Sequence, residues 1–247
     1  MGQVVVITGC GDGMGRHVAA MLAEKGHSVA GFDCDSEGIA SLEKELKEIG
    51  GDHLLDVIDI TDRPAITKFR DRVLARYGHV DTVLSNVGIG FFSPFEEVDL
   101  EKALTCLEIN VIGAAAIFQA FIPSMRERRT GKLIAMSSLV GRIPFPFESI
   151  YSASKFAVTG MVLSLKYEVE PFGIRVALIE PAQVSTSFAA KIHVLPPEGS
   201  AYRDRARRFI ERDDELIKTA PTPPFAAEKI VKIIESEKPS IFNQIDF

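Results

Sequence analysis

Short apolar runs recur along the chain, separated by longer segments in which apolar residues have helical spacing. The first run, Gln3 to Thr8, is rich in β-branched residues and lacks polar alternation, which is typical of a strand buried on both faces of a parallel sheet. We predict further strands at 28–32, 54–58, 80–85, 132–136 and 174–180, and a short last strand near 240–243. Helical patterns fill the intervals, so the sequence predicts an α/β fold with a parallel sheet.

The predicted helices differ in polarity. Two of them, Ser36 to Ile49 and Pro64 to Tyr77, are charged and end at glycine. A long helix from Asp99 to Phe121 and another that starts near Ile150 carry more apolar surface than one sheet face needs. We therefore predict a homodimer or homotetramer formed through the helices at about 99–121 and 150–171.

The pattern loosens after the sixth predicted strand. The segment 188–200 contains two adjacent prolines, a charged helix is predicted from Tyr202 to Thr219, and a last helix follows from Ala226 to Glu235. A long segment of this kind over an active edge is often a lid. We expect one domain over residues 1–247, with a substrate lid at about 188–224.

Composition and charge narrow the classes of function. With 247 residues and a formal net charge of −6, the chain offers no basic surface for nucleic acid or an anionic membrane. Its three cysteines form neither a disulfide framework nor a metal-binding spacing, so we expect a reducing cytoplasm and no bound metal. We expect no secretory signal, because the first strand begins almost at Met1. We expect no membrane span, because the apolar stretch from Val111 to Ile122 is stopped by Pro123.

A glycine-rich turn follows the first strand and precedes a helical pattern. Glycines let the backbone approach a pyrophosphate, and a helix N-terminus offers free N–H groups and the positive end of a dipole. A glycine cluster alone could be only a tight turn, but its position between strand and helix favours a dinucleotide. The candidate residues here are Gly9, Asp12, Gly13, Met14 and Gly15.

Acidic residues end the second and third predicted strands. Asp33 can accept both hydroxyls of an adenosine ribose and would repel a 2′-phosphate, and Asp12 adds a second negative charge, so we infer NAD over NADP. Arg16 is the nearest cation, and we interpret it as a solvated residue. Asp59 lies where ligands of open parallel sheets gather, although its spacing fits a helix cap with Asp62 equally well.

A second glycine-bearing turn, which includes Asn86 and Gly88, follows the fourth predicted strand at the same edge of the sheet. Aromatic residues come next, and again before the helix at Ile150. They could serve packing alone or form a wall of an apolar substrate pocket. The pocket candidates are Phe91, Phe92, Phe145, Phe147, Phe188 and Tyr202.

Tyr151 and Lys155 are four residues apart and share one face of a predicted helix. Taken alone, such a pair is more often on the surface than in a site, but a cation beside a phenol favours the phenolate that acid–base chemistry at neutral pH needs. The fifth predicted strand delivers Ser138 to the same edge. Asn110 lies in an apolar stretch, where a buried amide could hold the fold together or belong to the site.

Together these residues resemble the short-chain dehydrogenase/reductase family from end to end. The resemblance rests on Thr8-Gly9-x-x-x-Gly13-x-Gly15, on Asp59, on Asn110, and on Ser138 followed by Tyr151-x-x-x-Lys155. It implies a Rossmann-type doubly wound sheet of about seven parallel strands with helices on both faces, in three layers. The chain departs from the family pattern at Val87 and at Ala182. We expect Val87 to shift the contacts on the adenine side of the cofactor, and Ala182 to restrict the turn after the sixth strand.

The resemblance also implies a reaction, in which a hydride passes between a nicotinamide and an alcohol or carbonyl. Tyr151 would take the hydroxyl proton, Ser138 would hydrogen-bond the substrate oxygen, and Lys155 would bind the nicotinamide ribose. Asn110 would hold a water that links Lys155 to solvent. Further cofactor contacts fall on Asp59, Ile60, Asn86, Gly88, Pro181, Val184 and Thr186.

We therefore expect a cytoplasmic alcohol dehydrogenase or carbonyl reductase that prefers NAD and whose small-molecule substrate is a hydrophobic secondary alcohol or ketone. The alternative is a non-catalytic nucleotide-binding sensor or scaffold on the same fold. Such a protein would have little need of the whole set of Asn110, Ser138, Tyr151 and Lys155.

Overall fold

Seven parallel strands form one sheet in the part of the chain that the computed structural model describes, residues 2–185 and 195–245. In chain order they are β1 (Val4–Thr8), β2 (Ser28–Asp33), β3 (Leu54–Val57), β4 (Thr82–Ser85), β5 (Gly131–Met136), β6 (Ile174–Pro181) and β7 (Phe242–Ile245). Their order across the sheet is β3-β2-β1-β4-β5-β6-β7, and every neighbouring pair is parallel. The predicted seven-stranded parallel sheet is confirmed.

Helices cover both faces of this sheet. Within the described ranges they are α1 (Gly13–Glu24), α2 (Ser36–Ile49), α3 (Arg63–Tyr77), α4 (Leu100–Leu107), α5 (Gly113–Arg128), α6 (Ser149–Val169), α7 (Arg203–Lys218) and α8 (Pro223–Glu235). Helices α1, α2 and α8 pack in one core, and α3, α5 and α6 pack in the other. The doubly wound, three-layer arrangement is confirmed as well.

Strand β1 shows why the apolar runs lack polar alternation. Val4 and Val6 belong to the core on one side of the sheet, and Val5 and Ile7 belong to the core on the other. The chain leaves β1 toward α1 on one face and leaves the neighbouring β4 toward α4 and α5 on the other. The crevice between these two diverging loops is where ligands bind in open α/β sheets.

The long helix predicted from Asp99 to Phe121 is interrupted by a widened turn. Helix α4 begins directly after Asp99, whose carboxylate accepts a hydrogen bond from the N–H of Glu101 at 3.0 Å. A π-helical turn, Glu108–Ile112, then joins α4 to α5. Turns of this kind occur frequently at functional sites.

Helix α5 also extends beyond its predicted end. It continues through Pro123 to Arg128, so the prediction that Pro123 stops this apolar stretch is wrong. The proline removes one helical hydrogen bond, while burial of Phe121 and Met125 on either side keeps the helix on the sheet. By length and composition the stretch Leu100–Arg128 could cross a membrane, because an 18-residue window within it has a mean hydropathy of 1.6. This is weak evidence for a span, because core helices such as α5 meet the same criterion.

Two boundaries near the end of the described chain differ from the predicted ones. Helix α8 begins at Pro223 rather than at Ala226, because prolines fit the first helical turn, where no N–H donor is needed. Strand β7 covers Phe242–Ile245 rather than 240–243, and its Asn243 pairs with Ile179 of β6.

Candidate active site

The glycine turn after β1 is shaped by a close approach of two backbone segments. Gly9 and Gly13 adopt φ angles of 69° and 56°, in the left-handed region that favours glycine. A Cβ at Gly15 would lie 2.1 Å from the carbonyl oxygen of Gly9. Only glycine at position 15 therefore lets α1 pack so closely on the turn.

The N-terminus of α1 has a geometry that fits a phosphate group. The N–H groups of its first turn, including those of Met14 and Gly15, have no partner within the helix. The carboxylate of Asp12 caps the helix by accepting a hydrogen bond from the N–H of Gly13 at 2.7 Å. A Cβ at Gly13 would meet no atom within 4 Å, so the turn opens outward. These features together suit the pyrophosphate of a dinucleotide.

Asp33, at the end of β2, holds the glycine turn in place. Its carboxylate accepts hydrogen bonds from the N–H groups of Gly11 and Asp35, both at 3.0 Å. The prediction that Arg16 is simply solvated is wrong, because its guanidinium lies 2.7 Å from the carboxylate of Glu45 in α2 and its side chain is only 24% exposed. Arg16, the cation nearest to the turn, is thus already paired with a carboxylate.

Asp59 and Ile60 follow β3 and have different surroundings. Asp59 accepts hydrogen bonds from the N–H and the hydroxyl of Thr61, both at 2.8 Å, while Asp62 caps α3. The residue that caps α3 is therefore Asp62, while Asp59 stabilises the turn in which it lies. Ile60 is buried, and a Cβ at Gly113 of α5 would lie 2.7 Å from its side chain.

Asn86 ties the ends of β1 and β4 together. Its side-chain amide donates hydrogen bonds to the carbonyl oxygens of Thr8 and Gly9 at 3.1 and 2.9 Å. The Thr8 hydroxyl accepts hydrogen bonds from the N–H groups of Asn86 and Val87. A Cβ at Gly9 would lie 3.1 Å from the side chain of Val87, so Val87 lies directly beside the glycine turn. The support from Thr8 was not predicted, because it depends on two strands being neighbours.

Lys155 and Asn110 converge on the backbone of Gly88. A Cβ at Gly88 would lie 3.2 Å from Nζ of Lys155 and 3.4 Å from Oδ1 of Asn110. The Lys155 ammonium donates a hydrogen bond to the carbonyl oxygen of Met136 at 2.9 Å. Burial lowers the pKa of Lys155 to about 8, against a smaller opposing effect of Cys106.

Asn110 lies in the π-helical turn and is 2% exposed. Its Oδ1 accepts a hydrogen bond from the N–H of Ile89, and its Nδ2 donates to the carbonyl oxygen of Ile89, both at 2.8 Å. The same Nδ2 donates to the hydroxyl of Ser154 at 2.9 Å, which in turn donates to the carbonyl oxygen of Tyr151. Asn110 therefore supports the fold and also joins the loop after β4 to the helix that carries Tyr151.

Tyr151, Lys155 and Ser138 meet at the start of α6. Nζ of Lys155 lies 5.6 Å from the centre of the Tyr151 ring. Burial raises the pKa of Tyr151, the carboxyl of Glu148 raises it further, and a hydrogen bond with Ser138 lowers it. The Ser138 hydroxyl also lies 3.5 Å from the carbonyl oxygen of Pro181 at the end of β6.

The segment after β6 borders this group. Val184 is 7% exposed and packs in the core beside α1. The N–H of Ala182 donates a hydrogen bond to the carbonyl oxygen of Ile245 at 3.1 Å. Among the described residues only Arg129 and Phe147 combine a side chain with a positive φ, so alanine at position 182 causes no backbone strain there. Thr186 lies outside the described residues.

Two of the aromatic candidates pack against α7. The rings of Phe92 and Phe147 lie 5.5 and 5.9 Å from the ring of Phe209. Phe147 has a φ of 66°, and its carbonyl oxygen accepts a hydrogen bond from the N–H of Ser93. The aromatic loops and α7 thus form one cluster. The sequence pattern did not predict these contacts of Phe209.

The other aromatic candidates are more dispersed. Phe91 lines a cavity of about 460 Å³ with residues from 92–102 and 195–200, and the four predicted catalytic residues are not in its lining. Phe145 is 39% exposed and Tyr202 is half-buried. Phe188 lies outside the described residues.

Glu148 is a titratable group beside the site that the sequence pattern did not reveal. It directly precedes α6 and is 7% exposed. Burial and, to a smaller extent, the carboxylate of Asp213 in α7 raise the pKa of Glu148 to about 7. Asp213 accepts a hydrogen bond from the side chain of Gln183, so α7 contacts the segment that follows β6.

Similarity to known proteins agrees with this geometry. Residues 3–194, most of the chain, match the family described as short chain dehydrogenase. The chain belongs to the short-chain dehydrogenase family. It is therefore an oxidoreductase by family, and Ser138, Tyr151 and Lys155, which match the family's catalytic pattern, lie together in its structure.

Two curated short-chain dehydrogenases and one solved structure illustrate the relationship. A 3-ketodihydrosphingosine reductase from Bacteroides thetaiotaomicron is 32% identical over 217 residues, which cover 86% of this chain and 77% of that protein. Human 17-beta-hydroxysteroid dehydrogenase type 1 is 30% identical over 250 residues, which cover 96% of this chain and 76% of that protein. The crystal structure of levodione reductase has a TM-score of 0.85 at 26% identity, covering 99% of this chain and 96% of that one.

Proposed function

We propose that this protein transfers a hydride between NAD(P) and a secondary alcohol or ketone. The meeting of Ser138, Tyr151 and Lys155 beside the crevice between β1 and β4 carries the proposal. Titratable side chains with perturbed pKa values at the carboxyl ends of a parallel sheet favour catalysis over a purely structural or sensing role.

The chain's own residues divide the proposed work among them. Tyr151 takes the proton from the substrate hydroxyl in oxidation and returns it in reduction. Ser138 donates a hydrogen bond to the substrate oxygen and orients it toward Tyr151. Lys155 binds ribose hydroxyls next to Gly88, and its charge beside the phenol favours the phenolate. The bound nicotinamide supplies the hydride acceptor or donor.

We infer a preference for NAD from the charges at the end of β2. Asp33 and Asp12 place negative charge where a 2′-phosphate would lie, and the guanidinium of Arg16 is paired with Glu45. The carboxylate of Asp33 already accepts hydrogen bonds from two backbone N–H groups. These hydrogen bonds fix the carboxylate in a position to bind ribose hydroxyls. A carboxylate held in this way suits the ribose of NAD.

We further propose an apolar substrate, enclosed by a lid that includes α7. The tilted and edge-on packing of Phe209 against Phe92 and Phe147 supports this, because it sets an aromatic surface near the carboxyl end of the sheet. The names of the two curated relatives, which refer to 3-ketodihydrosphingosine and to a hydroxysteroid, also favour a bulky substrate. The residues of the proposed lid between 186 and 194 lie outside the described ranges.

A homo-oligomer formed through the helices at about 99–121 and 150–171 is proposed from their exposed apolar side chains. These side chains lie on the outer surface of the helix layer rather than on the sheet. They are Leu100, Leu104, Ile112, Phe156 and Tyr167. Light scattering at micromolar concentration should give the mass of a dimer or tetramer, and a monomeric mass would contradict this proposal.

A cofactor and substrate screen tests the reaction. Secondary alcohols of graded polarity are incubated with NAD and then NADP, and the matching ketones with NADH and NADPH, while the absorbance of the reduced nicotinamide is followed. We expect turnover of apolar members with the NAD pair. Absence of turnover with either cofactor, despite tight cofactor binding, would favour the sensor or scaffold.

A matched pair of tyrosine variants locates the activity. Tyr151→Phe should reduce turnover by about a thousandfold or more while NADH binding is retained, because only the transferable proton is lost. Tyr167→Phe makes the same change at a tyrosine that is 77% exposed, and it should have no effect on turnover. Substantial activity in Tyr151→Phe would exclude the assigned role.

A further inference from the structure

Arg142 and Glu180 form an ion pair between the turn that follows Ser138 and the end of β6. Nε of Arg142 donates to Oε1 of Glu180 at 2.7 Å. The Glu180 side chain is 1% exposed and the Arg142 side chain 37% exposed. The Arg142 guanidinium also lies 3.8 Å from the centre of the Phe242 ring. Arg142 therefore makes a cation–π contact in addition to the ion pair.

The ion pair and its aromatic contact connect three elements, two of which border the candidate reaction centre. Arg142 directly follows the 3-10 turn Leu139–Gly141, which Ser138 caps by accepting a hydrogen bond from Val140. Glu180 is the penultimate residue of β6, next to the carbonyl group of Pro181 that lies 3.5 Å from the Ser138 hydroxyl. Phe242 begins β7. Any movement of the Ser138 turn relative to β6 would therefore strain the pair.

Stability alone does not explain this pair. Its Glu180 Oε2 atom is buried and has no hydrogen-bond partner among the described residues. Burying a carboxylate is costly, and well-packed uncharged replacements of buried ion pairs are often as stable or more stable. What the pair provides beyond packing is a directional link between the turn of Ser138 and the end of β6.

We propose that Arg142 and Glu180 are positioning residues that fix the Ser138 hydroxyl relative to Tyr151 and the segment after β6. This inference rests on the proposed reaction, since it assigns the pair to the same centre. Neither residue touches the reacting atoms; both act through Ser138.

The kinetic consequence follows from the role of Ser138. Its hydrogen bond lowers the pKa of Tyr151, so displacement of the serine raises that pKa again. When kcat for oxidation is measured against pH, the limb of the profile that reports ionisation of Tyr151 then moves to higher pH. A purely structural ion pair would leave that limb where it is.

The test uses a double variant that removes both charges together. Arg142→Ala alone would leave Glu180 buried and unpaired and could prevent folding. Arg142→Met with Glu180→Gln keeps similar volumes and leaves no buried charge. The matched control is Arg175→Met with Glu170→Gln, the same changes in an exposed pair whose charged atoms are 3.9 Å apart at the other end of β6.

We expect the double variant to keep its melting temperature and its affinity for NADH, to lose about tenfold or more in kcat, and to shift the pH profile upward. The control should match the wild type. Arg142→Lys retains a charge for Glu180 but loses the flat contact with Phe242, so its loss in kcat should be smaller than that of the double variant. Wild-type kcat and pH profile in the double variant would overturn the inference.

Crystal structures of the wild type and the double variant give a readout that needs no activity. We expect the Ser138 hydroxyl to move by about 0.5 Å or more relative to the Tyr151 ring. Superimposable positions would overturn the inference even if the protein turns over no substrate. If the wild type is inactive but Ser138 moves, the proposed function fails while the positioning role stands.

Discussion

The Lys155 ammonium nitrogen lies 5.6 Å from the centre of the Tyr151 ring, one helical turn away, and donates a hydrogen bond to the backbone of Met136. Burial lowers the pKa of Lys155 to about 8 and raises the pKa of Tyr151. In the free protein, burial thus disfavours the charged form of both groups. Forming the phenolate therefore requires further stabilisation when ligands bind.

Replacing Lys155 separates function from stability. Lys155→Met should lower turnover by about a hundredfold and weaken cofactor binding, because the charge beside Gly88 is lost. The melting temperature near neutral pH should be unchanged or higher. The pKa of Lys155 in the folded protein is lowered to about 8. Below that pH the buried charge therefore lowers the free energy of unfolding, and this loss disappears as the pH rises toward 10.5.

The control for this variant lies on the same helix. Lys166→Met changes a lysine whose Nζ lies 5.7 Å from the ring of the exposed Tyr167, which imitates the spacing without the burial. It should retain activity and NADH affinity. Equal losses in the two variants would show that the Lys155 environment has no special role.

Asn110→Ala should lower both stability and turnover. It removes hydrogen bonds to Ile89 and Ser154 and leaves buried backbone groups without partners, at a cost of about 2 to 3 kcal/mol. Urea unfolding and kcat measure the two effects. Asn243→Ala, at the far edge of the sheet, removes amide bonds to Leu178 and Ser240 and should leave kcat unchanged. Wild-type turnover in Asn110→Ala would confine that residue to a structural role.

Asp33→Asn should shift cofactor preference toward NADP. The amide keeps one acceptor for the glycine turn but removes the negative charge, so the ratio of NADPH to NADH dissociation constants should fall about tenfold. Fluorescence titration with each reduced cofactor measures the ratio. The same ratio is measured for Asp59→Asn as a comparison. Tighter binding of NADPH than of NADH by the wild type would contradict the proposed preference.

Glu148→Gln should stabilise the protein more at about pH 8 than at about pH 5. The folded pKa of Glu148 is raised from 4.5 to about 7, so the stability contributed by its protonated form is fully present below pH 4.5 and is lost as pH rises through 7. The loss is on the order of 2 to 3 kcal/mol, and glutamine does not titrate.

Melting temperatures at the two pH values check this prediction. Glu168→Gln, an exposed position on the same helix, should give the same small change at both. If Glu148→Gln also shows no pH dependence, the carboxyl ionises normally in the folded protein.

Periodicity predicted the sheet well because each strand is buried on both faces and its apolar run is visible locally, as in Val4–Thr8. It failed at Pro123 and Pro223, where a helix tolerates proline in ways that depend on packing or on position within the first turn. The candidate catalytic residues were recognisable as a pattern. Their partners were not, because the Met136 carbonyl and the Ser154 hydroxyl reach Lys155 and Asn110 only after the chain has folded.

The widened turn Glu108–Ile112 places α4 and α5 in different helical phases. One residue more than an ideal helix rotates everything beyond it by about 100°. Asn110 can thus face Ile89 and Ser154 while Ile117 and Phe121 face the core. Deleting one residue such as Val111 would leave a regular helix but turn either the amide or the apolar face away. One inserted residue thereby lets Asn110 contact the candidate site while the rest of the same helix packs on the core.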